Sequence, residues 1–597
     1  MLTEIRDFLA TTPVFGDVPA DQLAEIAELF TVERYPAGWK VIRQGGHSEA
    51  VYFLRSGRMA VRINRDDTRE TVAILQPPDI FGELSFITGK ACIADVEVEV
   101  DAEVLVLPKE SVSKLPERRD AILRGLLRVT AERLQRTVVG GTKVLDLPVV
   151  LLRNGVKWEA PRAFAEAFAE SLAQQTERET LLVSLGPNGD DAVKRVGERL
   201  SHCALAASAA DQVLRANLAA RLTEWKRTFE NGVLTTVGPL ARPIANNIQD
   251  LSNAAGHLLG PGDPVPDDPQ GTFFVVQSAA QPTLAVLDGN HQLIYDEAES
   301  ETRSVTPRFR RTVDSIARHV AGIQVGLALG GGAAWGWAHI GVLAVLEKAG
   351  LPVDVLSGCS MGSVVGAFRA AGMGVEALAE IAEYWRTRTR RFIEWRFWRM
   401  CLVSETTALK TFAGYFNERC VNHTETPYWA NAVDIRTGKE FSIRDGPLVQ
   451  CIRASIALPG LLPPLARDSS LLVDAGIMNP VPVKLIRRMG ADFAIAVNAM
   501  SPIDESPVRR RYPFNAFDLM TRCMFIMGHE IGQARAEAAA DVVMAPPMTG
   551  ITMLEFGRSP EIIERGRKTA SENLDVILAR YRKLKRDVCG KSAASRL

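Results

Sequence analysis

No Cys-x-x-Cys pair occurs in this chain: its eight cysteines, at 92, 203, 359, 401, 420, 451, 523 and 589, are scattered. That spacing excludes a zinc site and suggests no disulfide framework, so a reducing cytosol is the expected home. The eight histidines form no metal pattern either, and neither a metal nor any other cofactor is expected. An excess of one charge is also missing: 70 Lys and Arg against 71 Asp and Glu leave a net of −1. No global field therefore argues for nucleic acid, and any attraction to a membrane has to come from local patches. The opening Met1-Leu2-Thr3-Glu4 lacks the basic region and apolar run of a secretory leader. Residues 321–346 are apolar over a length that could span a bilayer, but Gly330-Gly331-Gly332-Ala333-Ala334 at their centre makes a poor helix interior. Buried strand, glycine turn and helix is the better reading there.

What is present is a long chain of 597 residues, 47% apolar and 24% charged, which calls for several domains. Residues 1–140 show short apolar runs broken by Gly38, Gly45, Gly57 and Gly82, then a helix over 118–136 with Ile122, Leu126, Leu127 and Leu134 on one face. That is a β-roll closed by a helix. Residues 141–315 alternate apolar runs (149–152, 181–185, 234–237, 273–276, 284–287) with helical patterns, an α/β rhythm of unreadable role without a Gly-x-x-x-x-Gly-Lys loop. A Pro/Gly-rich loop at 260–269 and a polar connector at 297–311 interrupt it. Residues 316–550 form a third domain, again α/β. Strands are predicted at 325–329, 353–356 and 493–497, helices at 337–349 and 363–371, and a hairpin over 429–443 turning at Thr437-Gly438. Residues 551–597 are a C-terminal helical segment, amphipathic over Glu561 to Arg582.

Chemistry concentrates in the third domain. Gly358-Cys359-Ser360-Met361-Gly362 follows a short strand and opens a helix, the setting in which Gly-x-Ser-x-Gly becomes a nucleophile elbow. The turn would aim the Ser360 hydroxyl out at a helix N-terminus, where amides and dipole favour negative charge. Upstream, Gly330-Gly331-Gly332-Ala333-Ala334-Trp335-Gly336 also lies between strand and helix. Its amides, those of Gly331, Gly332 and Ala333 above all, could converge on an oxyanion. Asp474, at a strand end before Ala475-Gly476, is the candidate base: a buried carboxylate beside the hydroxyl can have its pKa raised enough to take the proton.

With these residues the region 324–545 resembles the patatin-like phospholipases. The likeness extends to Arg453-Ala454-Ser455-Ile456-Ala457-Leu458-Pro459-Gly460 with Pro463-Pro464, and to Asn479-Pro480-Val481-Pro482. It implies a three-layer α/β/α sandwich with a Ser–Asp dyad, Ser360 as nucleophile, Asp474 as base and lipid or lysophospholipid esters as substrates. The family's basic residue after the glycines is Trp335 here, which removes a positive charge near the site. Residues 1–140 resemble cyclic-nucleotide-binding β-rolls through Val51-Tyr52-Phe53-Leu54, Gly57 and Phe81-Gly82-Glu83-Leu84-Ser85. The order of the two domains is similar to the neuropathy target esterase branch. Glu83 would hold the ribose hydroxyl, but Cys92 stands where binding members place the arginine that neutralises the phosphate, leaving Lys90 as the nearby cation. That weighs against tight nucleotide binding.

Other readings stay open. Ser360, Asp474 and His529 occur in the order of an α/β-hydrolase triad. Trp335 and Cys92 also fit a non-catalytic, cyclic-nucleotide-responsive scaffold. Arg386 to Met400, six arginines among five aromatic or aliphatic side chains, suits a peripheral contact with the inner membrane face as well as it suits a packed helix. His339, in apolar surroundings, reads as a core histidine.

Overall fold

A computed structural model of the chain describes, apart from scattered positions, residues 2–113, 122–130, 149–154, 161–206, 218–236, 254–259, 273–277, 292–295, 307–392, 412–500 and 516–589. It divides into two compact units, residues 1–143 and 144–597. Among the described residues no helix is long and apolar enough to cross a membrane. The expected strand at 284–287, the loop at 260–269 and most of the basic-aromatic stretch 386–400 lie outside them.

The first unit is the expected β-roll. Its antiparallel sheet has six strands, four of them paired on the two long ones, Ala50–Arg65 and Asp95–Pro108. Phe53 anchors the core, stacked on Phe15 at 5.7 Å and edge-on to Phe30 at 5.2 Å. A helix covers 122–130, as expected. Its buried face is Ile122, Leu126 and Val129 at i, i+4, i+7, whereas Leu127, placed on that face from the sequence, is exposed one residue round the helix.

The second unit holds two eight-stranded sheets. In the first, Val149–Asn154, Thr180–Gly186, Leu200–Ala206, Asn231–Thr236, Ala254–Leu259, Phe273–Gln277 and Gln292–Tyr295 run parallel, with Val193–Arg195 antiparallel at one edge. The second sheet centres on Val325–Leu329. It is flanked on one side by Val355–Gly358 and Tyr428–Asp434, and on the other by Phe493–Val497 and Val542–Met544, all parallel. Lys439–Ile443 returns antiparallel on Tyr428–Asp434, completing the expected hairpin, and Ser470–Asp474 pairs antiparallel with the same strand. Helices on both faces complete the α/β layering.

Two features tie this unit together. The connector expected over 297–311 becomes helical at Pro307, the first residue of the helix Pro307–Ala321, where a proline loses no hydrogen bond. That helix packs Phe309 edge-on to Phe164 of the helix Pro161–Thr176 beside the first sheet. Its Arg318 forms a buried ion pair with Asp354 at 2.7 Å, and Asp354 also accepts the Val325 amide at 2.9 Å. One carboxylate thus joins the helix to the starts of two central strands. The expected boundary at 315/316 falls inside this helix.

The C-terminal helix runs Ser559–Cys589, longer than expected, and crosses the helix Ala338–Lys348 at a glycine pair. A Cβ on Gly341 would lie 2.0 Å from the Ile563 carbonyl oxygen, and one on Gly566 2.0 Å from that of Ala338. Backbones therefore touch where any side chain would hold them apart, and the helix Ser559–Cys589 is part of the core around the second sheet. Gly566→Ala should lower the melting temperature by the equivalent of about 1–3 kcal/mol, read by circular dichroism. Gly557→Ala, with open space around its Cβ position, should leave it unchanged.

Candidate active site

The strand Val355–Gly358 carries Ser360 to the end of the sheet, two residues further along than its predicted span of 353–356. Its last residue, Gly358, pairs in register with Leu329, and the Cys359 amide donates to the Leu329 carbonyl at 3.0 Å. The next helix, Met361–Ala370, starts at once. Such a turn forces the chain over itself. A Cβ at Gly358 would lie 2.5 Å from the Gly362 oxygen, and one at Gly362 2.2 Å from the Leu329 oxygen. Between the two glycines Ser360 sits at φ 50°, ψ −122°, a conformation that costs a non-glycine residue about 1–3 kcal/mol and persists only where its surroundings over-determine it.

The surroundings do so. The Ser360 amide donates to the Ser455 hydroxyl at 3.0 Å, and its carbonyl accepts from the Ser363 hydroxyl at 2.6 Å. Asp474 is held from the same side: its amide donates to Ala457 O at 3.0 Å. Ser455 and Ala457 thus fix the backbones of both candidate residues.

Asp474 ends the strand Ser470–Asp474 and is 1% exposed. Burial pushes its carboxyl up to about 6, against the opposing pull of the Ser360 hydroxyl, the Gly476 amide and the Cys359 thiol. The Gly476 amide reaches Oδ1 at 2.7 Å and the Cys359 sulfur at 3.8 Å. A carboxylate so placed can accept a proton from the neighbouring hydroxyl near neutral pH. Cys359 itself is kept a neutral thiol, its pKa driven well up by burial and then by Asp474.

The glycine loop lies against this turn: a Cβ on Gly331 would stand 3.2 Å from that of Ser360. Its amides are not equivalent. Gly331 donates to Pro480 O at 2.9 Å, so of the three expected oxyanion donors its N–H is already engaged. Among the described residues no acceptor is found for the amides of Gly332 and Ala333, nor for those of Met361 and Gly362 at the helix N-terminus. Ala333 takes φ 48°, and the residues after it are braced from far along the chain. The Ala334 amide donates to Met553 O at 2.9 Å and the Trp335 indole to Ile551 O at 3.1 Å. Trp335, in the place of a basic residue, is therefore a buried strut that also meets Phe525 edge-on at 6.0 Å.

The two histidines separate clearly. His339 is fully buried, with Nε2 donating to Gly330 O at 2.8 Å and its pKa lowered by burial to about 4. It is a neutral core residue that supports the glycine loop. His529 directs Nδ1 to Met500 O at 2.8 Å, and no hydrogen bond joins it to Ser360 or Asp474. Sequence reasoning missed the contact of Ser455 with Ser360 and the 551–553 brace. Ser455 lay inside a motif already noted, whereas nothing in residues 551–553 signals a contact 216 positions away.

In the first unit Glu83 is buried in the first turn of Glu83–Thr88. The Ser85 hydroxyl donates to Lys90 O at 2.7 Å, and the Cys92 backbone bridges to Gly45 and Gly46. Cys92 itself packs against the apolar cluster around Phe81. Among the described residues no group of His, Cys, Asp and Glu could hold a metal.

A glycine loop, a strained serine elbow and a buried carboxylate thus lie at the ends of strands of one α/β sheet. A family model described as patatin-like phospholipase matches residues 327–486, and one for the cyclic nucleotide-binding domain matches 32–119. An uncharacterized NTE family protein of Mycobacterium tuberculosis (strain CDC 1551 / Oshkosh) is 24% identical over 485 residues, 81% of this chain and 78% of its own. Human Patatin-like phospholipase domain-containing protein 6 is 26% identical over 572 residues, 86% of this chain but 40% of its own. Lysophospholipase NTE1 of Coccidioides immitis is 29% identical over 289 residues, 44% of this chain and 18% of its own. The chain thus spans under half the length of the human and fungal relatives. It carries a patatin-like phospholipase domain behind a cyclic nucleotide-binding-type domain, and its homologues are NTE family proteins.

Ser455→Ala should slow labelling of Ser360 by a fluorophosphonate about tenfold, as loss of one support of the strained turn requires. Ser455→Thr, which keeps the acceptor, should restore the rate, a rescue that simple loss of packing would not give.

Proposed function

We propose that this protein hydrolyses carboxylic esters of lipids, phospholipids or lysophospholipids, with Ser360 as nucleophile and Asp474 as its base. The observation that carries this reading is the buried carboxyl of Asp474, raised to about 6 by burial and held at a strand end against Cys359, the neighbour of Ser360. The Ser360 oxygen attacks the ester carbonyl as its proton passes to Asp474. The amides of Gly332 and Ala333, with that of Met361, receive the oxyanion. As the tetrahedral intermediate collapses, the proton returns to the departing alcohol and the acyl group stays on Ser360. Water then attacks that ester as its proton passes to Asp474, and collapse of the second tetrahedral intermediate returns the proton to the Ser360 oxygen and releases the fatty acid.

For the first unit we infer a structural or regulatory β-roll without tight nucleotide binding. Glu83 is retained for a ribose, but Cys92 is packed into apolar neighbours and supplies no charge to a cyclic phosphate.

Ser360→Ala should abolish both lipid hydrolysis and fluorophosphonate labelling, and full labelling of that variant would refute the assignment. Because Asp474 acts ionised, turnover should rise with pH through about 6 and then level off; a profile flat from pH 5 to 8 would count against this base. His529→Ala should retain most of the activity of the parent, since the dyad needs no imidazole, while a loss of a thousandfold or more would favour a triad.

A further inference from the structure

The helix Ala516–Ala539 joins the two halves of the candidate site on its inner face. Phe525 meets Trp335 of the glycine loop edge-on. Gly528 is pressed so close that a Cβ there would lie 2.8 Å from the Met500 sulfur and 3.2 Å from the Gly476 oxygen, two residues beyond Asp474. The outer face of the same half-helix inverts the usual pattern. Leu519, Cys523 and Ile526, at i, i+4 and i+7, are exposed, with Met520 and Met527 beside them; Leu519 is 57% and Met527 54% exposed. A helix bathed in water carries charge on that side.

From Glu530 onward the outer face becomes polar or small: Glu530, Ala534, Arg535, Glu537 and Ala538 are the exposed residues. The exposed apolar stretch is therefore confined to the half of the helix that carries Phe525 and Gly528. Leu554, next to the Met553 that braces the glycine loop, is exposed too. Contiguous large apolar side chains with a polar margin mark an interaction surface, and methionine suits an irregular, fluid partner.

We propose that this half-helix docks on the surface of an anionic lipid bilayer and so brings the candidate site to its substrate. The inference rests on the lipid-hydrolase reading. A second copy of the chain seated here would cover a helix that flanks both Trp335 and Gly476, whereas a lipid layer would supply the ester. The sequence leading into the helix contains Arg509-Arg510-Arg511-Tyr512, a cationic and aromatic composition complementary to anionic headgroups.

The test uses the full chain carrying Ser360→Ala, so that vesicles are not consumed, and co-sedimentation with phosphatidylglycerol–phosphatidylcholine vesicles. Leu519→Gln/Ile526→Gln/Met527→Gln should weaken binding about tenfold or more, with an unchanged melting temperature. Met520→Gln/Met527→Gln, on the flank, should act in the same direction, and Ala534→Gln/Ala538→Gln, past Glu530, should bind as the parent does. Failure of the parent to bind, or equal binding by the apolar-face variants, would overturn the proposal. So would a dimer in sedimentation equilibrium that those variants dissolve. Survival of lipid hydrolysis in Ser360→Ala would instead refute the functional reading, a separate outcome from vesicle binding.

Discussion

The second unit depends on one steric constraint: two strand-to-helix turns, after Leu329 and after Gly358, occupy the same few ångströms. The Gly362 backbone rests on the Leu329 and Gly330 carbonyls, and Gly358 on the Gly362 carbonyl, with no room for a Cβ at either glycine. Because the turns touch, the backbone of Gly331 meets the side chain of Ser360 at one end of the sheet. A larger residue at either position would separate the two groups the proposed chemistry needs together. The strain accepted at Ser360 and the left-handed conformation at Ala333 follow from this crowding.

Electrostatics then act through burial. Asp474 lies where solvent cannot stabilise its charge, and its carboxyl is raised to about 6 despite the donors that face it. The same burial lowers His339 to about 4 and keeps it a neutral hydrogen-bond donor to the glycine loop. Opposite shifts from one cause separate the two residues: the Asp474 carboxyl is raised toward neutral pH, and the His339 imidazole is held neutral as a support of the glycine loop. At the far end of the same strands, Arg318 and Asp354 bury their charges only because each satisfies the other and Asp354 also accepts the Val325 amide.

Much was legible in advance because local chemistry dictates it. Gly-x-Ser-x-Gly after an apolar strand has few conformations open to it, so the Ser360 turn could be read from spacing alone. The β-roll, the alternating middle region and the hairpin at Thr437-Gly438 were equally readable from periodicity and turn residues. Where the reading shifted, longer-range packing was responsible. Leu127 is apolar yet exposed, since Ile122, Leu126 and Val129 already fill the face against the roll. Residues 551–597 read as an amphipathic helical segment, but that Gly341 and Gly566 set where the helix Ser559–Cys589 crosses its neighbour was not visible in either segment alone.

By itself the sequence determined which residues could do chemistry: a serine between glycines, an acid before Ala475-Gly476, and a roll that kept Glu83 but has Cys92 in place of a cation. Those follow from side-chain type and backbone freedom, which are local properties. Only the tertiary structure decided which groups meet. Ser455 and Ala457 reach Ser360 and Asp474, residues 551–553 brace the glycine loop, Gly331 spends its amide on Pro480, and His529 turns to Met500. Each is a contact between distant segments, created by packing elements that carry no record of their partners in their own composition.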